Sequence, residues 1–301
     1  MLIIYRVLIN LIFILSPLII LFRLIKKKED PKRFKEKIGF FSKKRKKGKL
    51  IWFHGASVGE LQSIIPLVEK FEKNRSINQI LITSNTLSSS KIIKKQKFKK
   101  TMHQFFPLDT NFISKKFINY WKPSKAFFID SEIWPNMIFN LKYRKIPIVL
   151  INGRITKKTL KRWKQLSNFS NAIFSNFDLC LSSSKQSFNF LKKLNVKKVK
   201  FLGNLKFSQA EKGNLFSNER MDNYFKSKKT WCASSTHQSE ELICGLAHLE
   251  LKKKTKNLLT IIIPRHVERS NDIKNNLENL NLKVHLDEPI KTIAPNTDIY
   301  L

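Results

Sequence analysis

The stretch "HGASVGE", residues 54–60, sets a histidine, a serine and a glutamate between an apolar run and an amphipathic one. Glu60 falls at the mouth of a strand-to-helix turn, where a carboxylate can take a proton from a bound hydroxyl. The positive end of the following helix helps keep that carboxylate ionised. A glutamate that only complements the helix dipole occupies the same position, and this stretch leaves the two roles open. Ser57 does not form a G-x-S-x-G elbow, because its neighbours are Ala56 and Val58. His54 closes the apolar run, a place where histidine is more often a hydrogen-bonded structural group than a reactive one. No Lys-Ser or Lys-Thr follows Gly59, so this is not a P-loop, although Gly55 and Gly59 permit a tight turn close to a ligand. Pro66 either kinks the next helix or marks its true start.

A second kind of chemistry lies toward the end of the chain. "SSTHQSEE" (234–241) offers hydroxyls and His237 at a helix start, and "PRHVER" (264–269) carries Arg265, His266 and Arg269 after an apolar strand. Backbone N–H groups, hydroxyls and arginine converge naturally on phosphate. No metal constellation is visible: Asp109, Asp130, Glu132 and Asp178 are scattered, without the spacing of a carboxylate metal box. Cys180, Cys232 and Cys244 are too far apart for CxxC or a zinc site and fit small apolar residues in a reducing compartment.

The elements that must position these groups alternate along the body of the chain. Short apolar runs at 49–54, 79–84, 103–108, 125–130, 146–152, 178–183 and 198–203 read as strands. Helix-period segments such as "TLSSSKIIKKQKF" and "SKQSFNFLKKL" lie between them. After a polar stretch the alternation restarts with strands at 230–235 and 258–264, a helix "SEELICGLAHLELKKK" between them, and weak strands "KVHL" and "TDIYL". Near-continuous apolar strands separated by helices predict an α/β fold with parallel, doubly wound sheets. The pattern predicts two Rossmann-like units joined near residue 205, the second unfinished. Ligands of such sheets gather at the carboxyl ends of the strands, where the polar clusters fall.

The first 25 residues are different. Between Arg6 and Arg23 lie 16 uncharged residues, just under the length of a spanning helix, with an arginine at each end able to snorkel. Phe22, Arg23 and Leu24 lead into lysines and offer no small-residue cleavage site, so an uncleaved anchor is the better reading than a signal peptide. The alternative is a helix packed on the catalytic body. Lys26, Lys27, Lys28, Lys32, Arg33 and "KKRKKGK" (43–49) follow the apolar segment, which places the rest of the chain in the cytoplasm and provides cations for anionic headgroups. Over the whole chain 58 Lys and Arg face 22 Asp and Glu, a net charge of +36 that invites an anionic partner. Part of it reads as the coding bias of an AT-rich genome, which also fits the shortage of glycine, 8 in all. Aromatic residues are not interleaved with the basic runs as a single-strand stacking surface requires, and no nucleic-acid motif accompanies the charge.

In order along the chain, the N-terminal anchor, "HGASVGE", "FPLDT", "DSEIWPN", "NGRIT", "GNLKF", "ASSTHQSEE" and "PRHVER" resemble the bacterial Kdo transferases. Those enzymes attach 3-deoxy-D-manno-octulosonic acid to the lipid A precursor of lipopolysaccharide. No single motif carries the resemblance; their ordered occurrence from residue 1 to about 270 does. It implies a metal-independent, inverting glycosyltransferase of GT-B type, with two facing Rossmann-like domains, no cofactor, and CMP-Kdo as donor. The lipid A precursor (lipid IVA) would be the acceptor, anionic lipids of the inner membrane, at its cytoplasmic face, would be partners, and nucleic acid would not.

The resemblance assigns Glu60 as catalytic base. Glu132, Trp134, Asn136 and Arg154 would line the acceptor side, with His54 and Ser57 shaping the turn there. Asn204 and Lys206, near the hinge, would bind the donor together with Ser235, Thr236, His237, Glu240, Arg265 and His266, which would face the CMP. The implied division is an anchor (1–25), a basic juxtamembrane segment (26–48), an acceptor domain (49–205) and an incomplete donor domain (206–301). Asp130 stands where the family commonly has Glu, Ser239 replaces a usual Gly and Val267 a usual Pro. The family continues beyond "TDIYL" with further nucleotide-contacting motifs, so a truncated second domain is expected. Two rival readings are a GT-B transferase with another nucleotide sugar, separable by competition of CMP against UDP and GDP, and a membrane-tethered nucleic-acid-binding module, which would show steeply salt-dependent binding.

Overall fold

A computed structural model describes residues 1–207, 219–286 and 293–301, and the chain divides into two compact units, Met1–Gly213 and Asn214–Leu301. Unit 1 opens with α1 (Leu2–Ile25) and a 3-10 turn at Phe34–Ile38. The alternating part follows: β1 (Leu50–His54), α2 (Val58–Lys73), β2 (Gln79–Ser84), α3 (Leu87–Lys95), β3 (Thr101–Phe105), α4 (Asn111–Trp121), β4 (Lys125–Ile129) and α5 (Pro135–Tyr143). It continues with β5 (Ile148–Gly153), α6 (Lys157–Gln165), α7 (Ser167–Phe174), β6 (Leu179–Ser182), α8 (Lys185–Lys192) and β7 (Val199–Phe201). The strands form one parallel sheet in the order β3-β2-β1-β4-β5-β6-β7.

The apolar runs are continuous because both sheet faces are covered. In β1 all five residues are buried, and successive side chains go to opposite faces. Leu50 and Trp52 join a core with Phe117, Phe128 and Met137, whereas Ile51 and Phe53 join one with Leu61, Ile64 and Ile82. Two strands are displaced from their expected positions by prolines. The strand expected at 103–108 runs instead over Thr101–Phe105, ahead of Pro107, which has no N–H for the ladder. The one expected at 146–152 begins at Ile148, after Pro147, and extends to Gly153. Helix α2 starts at Val58, with Ser57 as its N-cap, and runs through Pro66, so Pro66 does not mark its start.

The basic segment 26–48 folds onto unit 1 through its two glutamates. Glu36, 2% exposed, accepts from Arg33 Nε and Nη2, both at 2.9 Å, from the Phe105 backbone N–H at 2.7 Å, and from the Ser42 hydroxyl. Arg33 Nη2 also donates to the His103 carbonyl at 2.8 Å and approaches His103 Nδ1 at 3.1 Å. An arginine only donates, so Nδ1 is the acceptor and Nε2 carries the hydrogen toward Ser84 Oγ, 2.8 Å away. Glu29, equally buried, holds Arg23 Nε at 2.5 Å and Lys37 Nζ at 2.6 Å. Lys26, Lys27, Lys28, Lys32 and Lys35 remain exposed.

Unit 2 holds α9 (Glu219–Lys226), β8 (Lys229–Thr236), α10 (Glu240–Lys254), β9 (Leu258–Pro264), α11 (Ser270–Glu278), β10 (Val284–His285) and β11 (Ile299–Tyr300). Its sheet is also parallel, in the order β10-β11-β9-β8, with Ile262, Ile273, Leu277 and Ile299 in its core.

Removing the Glu36 carboxylate leaves Arg33 without its buried partner and the Phe105 N–H without an acceptor. Glu36→Ala is expected to destabilise unit 1 by about 3 kcal/mol in denaturant unfolding, against less than about 0.5 kcal/mol for the exposed neighbour Lys35→Ala. Equal effects of the two substitutions would contradict the assignment.

Candidate active site

In unit 1 the strand order reverses between β1 and β4, and the connections leaving these two neighbours diverge. That switch point opens a crevice at the carboxyl edge of the sheet. The loops that follow β1 and β4 carry Glu60 on one side and Asp130, Glu132 and Trp134 on the other.

Glu60 lies in the first turn of α2, half-buried. Its Oε2 accepts from the Ala56 backbone N–H at 2.8 Å and its Oε1 from the Ser57 hydroxyl at 2.7 Å. Ser57 Oγ in turn faces the Glu60 N–H at 3.4 Å, so Ser57 caps the helix while the Glu60 carboxylate reaches back to the residue before the cap. Glu60 therefore has the helix-end geometry, and its titration is what separates it from an ordinary cap. Burial pushes its carboxyl above the usual range, the bonds from Ser57 and Ala56 pull it partly back, and the negative charges of Glu132 and Asp130 add to the rise. The turn is tight. A Cβ on Gly55 would meet Ile129 Cδ1 at 2.9 Å, Leu61 Cδ2 at 3.1 Å and Glu60 Cβ at 3.2 Å.

His54 is wholly buried at the end of β1 and serves as a brace. Its ring stacks on Phe106 with centroids 3.8 Å apart, its Nδ1 is 3.0 Å from Thr83 Oγ1, and its Nε2 is 3.1 Å from Glu132 Oε2. Trp52 Nε1 donates to the same Thr83 hydroxyl at 2.9 Å. Trp134 Nε1 donates to Glu132 Oε2 at 2.8 Å. A His54 with its hydrogen on Nε2 satisfies this set. Burial alone would raise the Glu132 carboxyl, but the bonds from His54 and Trp134 outweigh it and hold Glu132 below its ordinary range. Two glutamates of one crevice are thus driven apart: Glu132 is fixed as an anion and Glu60 is the more basic.

Beside them a cavity of about 240 Å³ is lined by Asp130, Arg154, Ser183, Ser184, Asn204 and Lys206, among others. Asp130 adopts φ +60°, a left-handed conformation that aspartate tolerates better than longer side chains. Burial raises its carboxyl, and Arg154 and Lys206 oppose the rise. The Lys206 ammonium also reaches the Glu60 turn, since a Cβ on Gly59 would stand 3.7 Å from its Nζ. Asn204 and Lys206, expected on the donor side, accordingly lie in unit 1 next to Asp130, where the Leu205 N–H binds Asn152 Oδ1 at 3.1 Å.

Asn136 is not with this group. It is wholly buried, donates to the Asp109 carbonyl at 2.6 Å and accepts from Arg6 Nε at 2.9 Å. It faces α1 and the Asp109 loop, not an open crevice. Sequence reasoning missed the part played by Asp109, whose carboxylate accepts from the Asn136 and Met137 N–H groups at 2.9 and 2.8 Å and from Tyr5 Oη at 2.8 Å. The signal was available: "FPLDT" follows a strand, and Pro135 starts a helix whose first N–H groups need an acceptor. Thr83, next to the last residue of β2, and Ser183–Ser184, which link β6 to α8, were also passed over.

In unit 2 the residues expected to bind the donor gather at one sheet edge. Ser235, His237, Glu240, Arg265 and His266 are exposed where the parallel neighbours β8 and β9 end, and the Arg265 N–H donates to the Thr236 carbonyl at 2.9 Å. Thr236 is buried, its hydroxyl 3.0 Å from Glu241 Oε1, and Arg269 reaches the same carboxylate at 3.2 Å. Glu240 Oε2 accepts from the His237 N–H at 2.7 Å, which gives that glutamate a loop-holding contact. Ser239 sits at φ +77°, a conformation glycine adopts without strain.

Residues 32–209 match the family model described as 3-deoxy-D-manno-octulosonic-acid transferase (kdotransferase). The chain is 34% identical to a 3-deoxy-D-manno-octulosonic acid transferase of Rickettsia bellii over 88% of its own length and 64% of that protein's. It is 31% identical to a probable mitochondrial 3-deoxy-D-manno-octulosonic acid transferase of Arabidopsis thaliana, over 99% of this chain and 69% of the relative. It therefore spans about two thirds of the length of these relatives. In fold it is similar to an S. aureus MnaA–UDP co-structure, with TM-score 0.55 and 12% identity over 84% of this chain and 68% of that one. A UDP-GlcNAc 2-epimerase from Neisseria meningitidis bound to UDP-GlcNAc gives TM-score 0.55 and 16% identity over 84% and 76%. At such identities the likeness is one of fold, a GT-B-like α/β architecture with two parallel sheets.

The crowding at Gly55 makes a paired test. Gly55→Ala is expected to displace the Glu60 turn and lower stability by about 1–3 kcal/mol in thermal unfolding, whereas Gly59→Ala, whose added methyl meets only ordinary contact distances, is expected to leave it within about 0.5 kcal/mol. Tolerance at Gly55 would mean that the turn is looser than described.

Proposed function

Because the chain belongs to the 3-deoxy-D-manno-octulosonic acid transferase family, we propose that it transfers Kdo from CMP-Kdo to a hydroxyl of the lipid A precursor, with inversion, using Glu60 as general base. The observation that carries the role of Glu60 is the pair of carboxylates in the β1–β4 crevice, one raised and one lowered from its ordinary range. Environments that push two carboxyls apart mark the one free to exchange a proton. Glu132 is engaged by His54 and Trp134, whereas the Glu60 carboxylate, among the described residues, is hydrogen-bonded by the Ser57 hydroxyl and the Ala56 N–H, which leaves it to face an incoming hydroxyl.

In the reaction the acceptor oxygen gives its proton to a Glu60 carboxylate oxygen and forms a bond to the anomeric carbon of Kdo. The bond from that carbon to the CMP phosphate oxygen breaks on the opposite face, and CMP leaves with the electron pair. Lys206 and Arg154, beside Asp130, offer cations for the acceptor's phosphates. Ser235, His237, Arg265 and His266 offer hydroxyl, ring and guanidinium donors for the phosphate of the leaving nucleotide. The apolar α1 and the exposed lysines that follow it suit a lipid acceptor at the cytoplasmic face of the inner membrane.

Glu60→Gln is expected to lower the Kdo transfer rate by roughly 10²–10⁴-fold while CMP-Kdo binding, followed by tryptophan fluorescence, persists. Full turnover by that variant would remove the assigned base. The ionised form of Glu60 is the active one and its pKa is raised, so transfer is expected to fall as pH drops through a midpoint above the ordinary glutamate value. The Ser57 hydroxyl lowers that pKa, so Ser57→Ala is expected to move the acid limb of the pH–rate profile to higher pH. An unmoved limb would assign it to another group. If UDP or GDP competed better than CMP, the donor would be a different nucleotide sugar.

A further inference from the structure

Helix α1 is long and apolar enough to cross a bilayer, yet it is tied to unit 1 at both ends. At its N-terminal end Tyr5 Oη donates to Asp109 at 2.8 Å and Arg6 Nε to Asn136 at 2.9 Å, while the Tyr5 ring meets Phe169. At its C-terminal end Arg23 binds the buried Glu29, which holds Lys37, and Lys37 Nζ donates to the Asn85 carbonyl at 3.1 Å. Asn85, Asp109 and Asn136 follow β2, β3 and β4, three parallel strands, so both ends of the helix are fastened to the carboxyl edge of one sheet.

The burial pattern agrees. Tyr5, Arg6, Ile9, Ser16, Ile20 and Arg23 are buried or half-buried. At ~100° per residue they fall within one stripe about 100° wide, and at ~1.5 Å per residue it runs about 27 Å along the helix. A hydrocarbon core is about 30 Å thick. Crossing it would carry the charged sheet edge of unit 1 into the lipid alongside the helix. The opposite face of α1 exposes Ile3, Val7, Leu11, Ile14, Leu18 and Phe22, with no acidic residue anywhere in the helix. Phe112, 74% exposed, follows the Asn111 that Arg6 also contacts, and the exposed Lys26, Lys27 and Lys28 follow the helix.

We propose that α1 does not cross the membrane but lies in the plane of one leaflet of an anionic bilayer, its isoleucine, leucine and phenylalanine face inserted and its flanking lysines at the headgroups. An interfacial helix needs a polar side facing away from the lipid. Here the docked stripe supplies it. The consequence is that the carboxyl edge of the unit 1 sheet, which carries the Glu60 crevice, is held against the membrane surface, so a lipid acceptor is met without leaving its leaflet. This rests on the membrane location given above.

The test places a short hydrophilic extension with a specific protease site before Met1 in the full chain, expressed in a Gram-negative host. An in-plane helix keeps that extension on the cytoplasmic side: protease is expected to cut it in inverted inner-membrane vesicles and not in intact spheroplasts. Any cutting in spheroplasts, or protection in both preparations, overturns the proposal. Flotation with phosphatidylglycerol vesicles is expected to recover the purified protein, and Leu11→Glu with Leu18→Glu to reduce recovery at least tenfold. Failure of the unsubstituted protein to float would instead remove the membrane location itself. Kdo transfer in the same inverted vesicles is read separately and reports on the catalytic assignment alone.

Discussion

Everything in unit 1 depends on the parallel pairing of β1 with β4, strands more than seventy residues apart whose register sets Ile51 against Lys125 and His54 against Phe128. This pairing reverses the strand order and leaves the loops beyond the two strands side by side at one edge. Glu60 meets Asp130 and Glu132 for that reason alone. The hydrophobic covering of both faces fixes the register, because a slip of one residue would exchange Leu50 and Trp52 with Ile51 and Phe53 between two differently shaped cores.

The crevice is polar but not loosely so. His54 is held by Thr83, Phe106 and Glu132, and Glu132 by His54 and Trp134, so a run of bonded groups stiffens the wall opposite Glu60. Catalysis by a positioned carboxylate requires its surroundings to be fixed before the substrate arrives. Asp109 extends the same logic outward. One buried carboxylate serves the first turn of α5 and the Tyr5 hydroxyl at once, which couples the α1 helix to the loop that ends in Glu132 and Trp134.

The architecture was legible in the sequence because parallel strands buried on both faces leave continuous apolar runs. Pro107 and Pro147 shifted two of them by withholding a ladder N–H, and the strand expected at 198–203 shortened to Val199–Phe201. Glu60 was legible as a candidate from its place after a strand, and its cap contacts show why the stretch alone could not separate base from helix end. Other features were not legible. Glu29 and Glu36 look like stray acids in a basic run, and only the fold reveals that they fasten that run to β3 and α1. The contact of His54 with Glu132 joins residues that no local spacing relates. Asn136 shares a motif with Glu132 and Trp134 yet points the other way, because it occupies the first turn of α5 against Asp109.

The claim on which the account turns is that Glu60 is the more basic of the two crevice glutamates in the resting protein. Carboxylate titration by difference infrared spectroscopy, with Glu60→Gln and Glu132→Gln subtracted in turn from the parent spectrum, reads the two groups separately. The account predicts a Glu60 midpoint above the ordinary glutamate value and well above that of Glu132. A Glu60 that titrates at or below Glu132 would contradict it.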